Sequence, residues 1–333
     1  MKECYLYDKL PGKKVCCKVC SHYCTINDGS RGICGVRENN NGNLCSLVYE
    51  KVVAMSIDPI EKKPLYHFLP GSKAFSVGTV GCNFGCLFCQ NADISFPREE
   101  KTVSGEDITC SKIVDLAREQ GCKTIAYTYN EPIIFIEMVK DAGLLAHEKG
   151  IKNILVTNGY MTEEVFEFLK CVIDGMNIDL KSFSDDFYTK TCRGKLQPVL
   201  DTIERAHEAG VWVEVTTLVV PGENDSEEEL TKIAKFIVGI DKNIPWHISR
   251  FHPMYKMSNK QATSIHSLKR AYDIGKAAGL KYVYMGNVGE NAATACFKCG
   301  AELINRDVYE GKLVGLENGK CFECGTKLGG VFE

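Results

Sequence analysis

AFSVGTVGCNFGCLFCQN, residues 74–91, reads as a strand that runs straight into a glycine-punctuated loop. The loop carries Cys82, Cys86 and Cys89, with three and then two residues between them. Gly81 and Gly85 permit the tight turns this spacing needs. An iron-sulfur cluster ordinarily takes four thiolates, so a closely spaced set of three leaves one iron open to an outside ligand. A zinc knuckle that borrows a fourth ligand from elsewhere fits the same three cysteines.

From this loop to Met285, short apolar runs alternate with amphipathic ones. The strand candidates are AFSVGTV (74–80), KTIAYTY (123–129), NILVTN (153–158), GMNIDL (175–180), VWVEVTTLVV (211–220), WHISRF (246–251) and KYVYM (281–285). Between them, runs such as ITCSKIVDLAREQG (108–121) and EEELTKIAKFIVG (227–239) place apolar residues three and four apart, as helices do, and several end at glycine. This alternation predicts an α/β fold with parallel strands joined by crossover helices. Six units fall short of the eight of a complete barrel, so the expected architecture is an open or partial (βα)6 barrel. Parallel sheets bind ligands at the C-terminal ends of their strands, where GCNFGC, YNEP, TNG, DLK, PGEND and FHP occur here.

The flanks differ from this body in composition. Residues 1–72 form a cysteine-rich, glycine-punctuated N-terminal segment, 73–285 the partial barrel, and 286–333 a cysteine-rich, hairpin-like domain. Neither flank has the apolar content for a large core, so metal is expected to hold it. A formal net charge of −3 and a pI near 6.2 give no global pull toward nucleic acid or an anionic membrane. MKECYLYDKL has no signal-peptide core and no apolar run reaches membrane-spanning length, so a cytoplasmic setting without a membrane partner is expected. There the 18 cysteines stay reduced, and clustered thiols read as metal sites.

At the C-terminus, CFKCG (296–300) and CFECG (321–325) pair two C-x2-C-G knuckles. Cys296, Cys299, Cys321 and Cys324 thus suit tetrahedral zinc or a rubredoxin-type iron, a zinc-ribbon or rubredoxin-like arrangement. Near the N-terminus, Cys17, Cys20, Cys24 and Cys34 offer a second set for zinc or an auxiliary iron-sulfur cluster, with Cys16 and His22 as substitutes. Cys4, Cys45, Cys110, Cys122, Cys171 and Cys192 are isolated and read as small buried hydrophobes. DPIEKKPLYHFLPGS (58–72) is either a lead-in to the first strand or a partner-recognition surface, and His247 reads as an inward structural residue.

The C-x3-C-x-aromatic-C loop, with Phe88 before its last cysteine and acidic and polar residues at later strand ends, resembles the signature of the radical S-adenosylmethionine (SAM) superfamily. That resemblance implies a cluster of the 4Fe-4S type on Cys82, Cys86 and Cys89 whose open iron binds the amino and carboxylate groups of SAM. Reduction then splits SAM into methionine and a 5'-deoxyadenosyl radical. The order of strand-end motifs looks like that of glycyl-radical activating enzymes, pyruvate formate-lyase activase included. YTYNEP (127–132) stands where they have Gly-Gly-Glu-Pro, so Glu131 is matched to the SAM ammonium, with Asn130 in place of a glycine. VTNG (156–159) and DLK (179–181) carry over Thr157, Asp179 and Lys181 as cofactor contacts, while Val156 replaces an aspartate. His252, in RFHP, aligns with a histidine near the ribose. Nearly the whole chain is similar to the radical SAM enzyme of the AmmeMemoRadiSam system, through the N-terminal C-x2-C-x3-C, GSRGICGVR, DPIEKKPLYHFLPGS, GCNFGCLFCQN, YTYNEP and the paired-cysteine tail.

The resemblance implies a radical SAM oxidoreductase that takes electrons from a reducing donor and abstracts hydrogen from a protein or a small molecule. A glycyl-radical activase proper is one alternative within this class. For Glu131 and Asp179 taken singly, local capping is an equal reading. Two other classes remain open on the residues: a nucleic-acid binding or modifying iron-sulfur protein, suggested by the ribbon-like tail, and an electron carrier. The acidic balance disfavours the first, and the three-cysteine loop the second.

Overall fold

The computed structural model of the chain describes residues 1–96, 103–289 and 292–333. Eight of its strands form one sheet in chain order: β1 (Ala54–Pro59), β2 (Lys73–Gly78), β3 (Thr124–Tyr127), β4 (Lys152–Thr157), β5 (Gly175–Asp179), β6 (Trp212–Val219), β7 (Trp246–Arg250) and β8 (Val283–Gly286). β2 to β8 run parallel, and their burial is nearly continuous, as it is for strands covered on both faces. β1 adds an antiparallel edge that the strand candidates did not include. Its short AMSIDP sequence, ending in proline and with Met55 and Ile57 exposed, gives no buried-strand signal.

The crossovers carry α1 (Cys110–Glu119), α2 (Ile136–Glu148), α3 (Glu163–Leu169), α4 (Gln197–Glu208), α5 (Glu227–Ile240) and α6 (Ile265–Ala278). Thr109, Thr162, Ser226 and Ser264 cap four of them by accepting from the backbone N–H three residues on, at 3.0–3.3 Å. Strand order never reverses, and parallel crossovers are right-handed, so the helices share one face and the other face turns inward. Among the described residues, no helix is long and apolar enough to cross a membrane.

The inward face is closed at the N-terminal ends of the strands by the segment 60–72. Ile60, Leu65, Phe68 and Leu69 pack on Ala74, Ala126 and Ile154, so this segment is a buried plug rather than a free recognition surface. Glu214 on β6 holds it: its carboxylate accepts from the N–H of Tyr66 (2.9 Å) and His67 (2.7 Å) and from Trp212 Nε1 (3.0 Å), and it lies 2.6 Å from His247 Nε2. His247 is thus the inward structural residue expected of it. His67 bridges Gly329 O (2.8 Å) and Tyr284 Oη (2.7 Å), and burial pushes its pKa down to about 4. From the tail, Arg306 donates to Tyr66 O (2.5 Å) and Thr294 Oγ1 (2.7 Å).

The N-terminal segment folds into small antiparallel sheets whose Val15, Cys17, Val19, Val36 and Leu44 share one apolar core with the main body. A fully buried bidentate pair, Arg37 to Glu137 of α2 (2.6 and 3.1 Å), joins the two. Of the isolated cysteines, Cys4, Cys110, Cys122 and Cys192 are buried as expected. Cys45 is half-buried and Cys171 exposed, the latter 2.7 Å from Lys140 Nζ; both sit where a neighbouring polar group, not apolar packing, is the contact.

Candidate functional site

The loop after β2 turns where its glycines require. Gly81 has φ +96°, and a Cβ there would lie 2.7 Å from Val36 Cγ1 and 2.8 Å from Cys34 O. A Cβ on Gly85 would meet Arg193 Cδ at 2.7 Å. Backbone bonds from Gly85 N to Cys192 O (2.8 Å) and Leu87 N to Thr191 O (3.0 Å) fix the rest. Cys82, Cys86 and Cys89, with Phe88 between the last two, line one cavity of about 360 Å³ at the C-terminal ends of the strands. Phe84 N donates to Cys82 Sγ (3.4 Å), and Cys89 Sγ donates to Ser95 Oγ (3.6 Å).

The facing walls come from the ends of β3, β4 and β5. Glu131 is buried and accepts from Thr157 Oγ1 (2.6 Å), Asn158 N (2.8 Å) and Ile133 N (3.1 Å). Burial pushes its pKa up to about 7, against the opposing pull of those donors and of Lys181. Lys181 Nζ lies 2.7 Å from Asp179 and 5.8 Å from the Phe88 ring centroid. Burial works to lower the Lys181 pKa, but Asp179 and the neighbouring thiols outweigh it and hold it well above the usual range.

Phe88, Asn130, Glu131, Thr157, Asp179 and Lys181 therefore line the same cavity as the three cysteines. His252 does not: it is exposed on the segment after β7. Asn130 spends its side chain on the loop, donating to Gly81 O (2.8 Å) and Thr79 Oγ1 (3.0 Å) and accepting from Thr79 N (3.2 Å). Its place in the motif thus serves to position the cysteines. Sequence reasoning missed Lys62, Lys63, Asn177, Thr216, Ser249 and Asn287, which line the cavity too. The signal for Asn177 was there, two residues before Asp179 and so on the same face of β5.

Among the described residues, one group of cysteines, histidines or carboxylates is gathered tightly enough for a single ion. This is Cys296, Cys299, Cys321 and Cys324, whose sulfurs all lie within 4.8 Å of one another. Cys296 and Cys324 are 3.7 Å apart and Cys299 and Cys321 3.6 Å, close to the ~3.8 Å edge of a tetrahedron with metal–sulfur bonds of ~2.3 Å. Cys17, Cys20, Cys24 and Cys34 are not gathered so closely. His22 Nε2 lies 2.8 Å from Asn83 O, so this segment touches the cysteine loop.

Residues 76–236 match the family described as the Radical SAM superfamily. The chain is 43% identical to the uncharacterized protein MJ0808 of Methanocaldococcus jannaschii over 98% of this chain and 99% of that one. It is 25% identical to the GTP 3',8-cyclase of Listeria welshimeri, over 65% of each. Among solved structures it is similar to Streptococcus suis SuiB bound to S-adenosylmethionine, with a TM-score of 0.52 at 13% identity, over 68% of this chain and 53% of that one. At that identity the likeness speaks for the fold alone.

Proposed function

Because the chain belongs to the radical SAM superfamily, we propose that it is an oxidoreductase in which Cys82, Cys86 and Cys89 hold a 4Fe-4S cluster and SAM binds across the cavity beside it. One observation carries this reading: three thiols from one loop and polar or charged groups from three successive strand ends line a single cavity. The donor set fits the cluster: three cysteines line the cavity, and Cys192, whose thiol meets that of Cys86, is buried outside that lining. When bound, the cluster supplies the electron that splits SAM into methionine and the 5'-deoxyadenosyl radical, which takes hydrogen from a protein or small-molecule substrate.

The chain's own residues then have separable tasks. Glu131, held by Thr157 Oγ1 and the Asn158 N–H, receives the SAM ammonium, and the arriving cation favours its ionised form. Lys181, oriented by Asp179, receives the carboxylate. Phe88 covers the cluster side and keeps water from it, and Asn130 fixes the loop that carries the cysteines. His252 is left out of this set because it lies exposed outside the cavity. The inward-turned face of β2 to β8 is the partial barrel of this reading, closed below by the plug.

We assign the tail's four thiolates to a structural zinc. They pack at the N-terminal ends of the strands, and β6 alone separates the two ends by roughly 20 Å. That places them far from the electron's destination. The N-terminal cysteines are kept as a looser zinc or iron-sulfur set.

The test is low-temperature electron paramagnetic resonance of the anaerobically reconstituted, reduced protein. A cluster signal that shifts on adding SAM supports the reading. A signal unmoved by SAM, or one that survives replacement of all three cysteines of the loop, overturns it.

A further inference from the structure

In the segment 58–72, Ile60 and the residues from Leu65 to Leu69 form the plug, while Lys62 and Lys63 between them line the cavity. Lys63 is only 4% exposed, with Nζ 2.8 Å from Asp58 Oδ2 and 5.1 Å from the Tyr129 ring centroid. Lys62 Nζ lies 3.6 Å from the other oxygen of the same carboxylate. Asp58 also accepts from Ser76 Oγ (3.0 Å) and Tyr129 Oη (3.2 Å). One carboxylate therefore faces two ammonium groups: Lys63 is buried and matched, and Lys62, its side chain 47% exposed, leaves this wall with a net positive charge.

The rest of the nearby wall is spent on the protein itself, the Asn177 amide donating to Pro64 O at 2.8 Å. Tyr129, which sets the Asp58 carboxylate, holds φ at +71°, a conformation rare for an aromatic residue and found where the surroundings enforce it. Lys181, across the cavity, is already matched by Asp179 and belongs to the SAM end.

We propose that this floor is the subsite for an anionic group of the substrate, a carboxylate or a phosphate, held by Lys63 and Lys62. The proposal rests on the assignment of the cysteine end of the cavity to SAM, and it places the anion against the segment 62–64. Asp58 and Tyr129 are positioning residues that aim the lysine pair.

The test is anaerobic calorimetric titration of the cluster-loaded, SAM-saturated full chain, with inorganic phosphate in one arm and succinate in the other. Saturable binding in the phosphate arm marks a phosphate-bearing substrate, and in the succinate arm a carboxylate. Lys63→Gln should weaken the bound anion about tenfold or more, whereas the surface variant Lys232→Gln should leave it unchanged. Lys62→Gln, whose side chain is 47% exposed and tolerant of change, should weaken it about fivefold and keeps the test valid where Lys63→Gln fails to fold. Failure of both anions to saturate, or equal affinity in wild type and Lys62→Gln, overturns the subsite. SAM affinity is measured separately: its loss in the wild type would strike the SAM assignment, whereas normal SAM binding without anion binding strikes the subsite alone.

Discussion

At the N-terminal ends of the strands the carboxylate of Glu214 meets Tyr66, His67, Trp212 and His247, and the plug and tail close over it. At the C-terminal ends the three cysteines of the loop, Lys181 and a raised-pKa Glu131 line a cavity. The same parallel strands run through both regions, so the contrast lies in what covers them. At one end Glu214 and His67 spend their polar atoms on their own chain, which stabilises the fold. The other lines an open cavity with thiols and charged groups, at the edge of a parallel sheet where ligand sites sit.

The sharpest way to break the comparison is to empty each end in turn. Glu214→Ala leaves buried donors and a histidine without their acceptor and should cost about 3–5 kcal/mol in urea unfolding, while SAM affinity of the folded fraction stays unchanged. A loss of SAM affinity without a loss of stability would show that the two ends are not separate.

The ends should also titrate in opposite directions. Burial raises the Glu131 pKa from its ordinary 4.5 to about 7, so the stability present below pH 4.5 is lost as pH rises through 7, by up to about 3 kcal/mol. Burial lowers the His67 pKa from 6.5 to about 4, so the stability present above pH 6.5 is lost as pH falls toward 4, by a similar amount. Unfolding free energies measured from pH 4 to 8 should show the alkaline limb flattened by Glu131→Gln and the acid limb by His67→Gln. An alkaline limb that persists in Glu131→Gln would refute the assignment.

Glu131→Gln should in addition weaken SAM binding by about 1.5–3 kcal/mol, with wild-type affinity rising between pH 6 and 8 as the carboxylate ionises and the variant flat across that range. Equal affinities by equilibrium dialysis would return Glu131 to a purely capping role. The smallest effect is expected outside both regions: Cys171→Ser, at an exposed thiol, should shift the melting temperature by an amount worth less than about 0.5 kcal/mol.

How legible each region was in the sequence follows the same division. The open end was readable because its groups come at strand ends in chain order: Cys82, Glu131, Thr157, Asp179 and Lys181 each follow an apolar run. The parallel strands were readable for the same reason, since each apolar run is continuous and bounded by turn residues. The closed end was opaque because it is built from distant partners. Glu214 meets Tyr66 and His67 across almost 150 positions, and Arg306 meets Tyr66 across 240. Lys62 and Lys63 escaped for a related cause: a charged pair ahead of a proline reads as surface, and only the buried path of Leu65 to Leu69 turns it inward. His252 erred the other way, carried in by its motif but left exposed after β7.

The central claim is tested most directly by 5'-deoxyadenosine formation. The protein is reconstituted anaerobically with iron and sulfide, then given reductant and SAM, beside the Cys82→Ala, Cys86→Ala, Cys89→Ala triple variant. The account predicts product from the wild type and none above background from the variant, with the tail's four cysteines intact in both. Equal product from the two proteins, or none from a wild type shown to carry its cluster and to bind SAM, would contradict it.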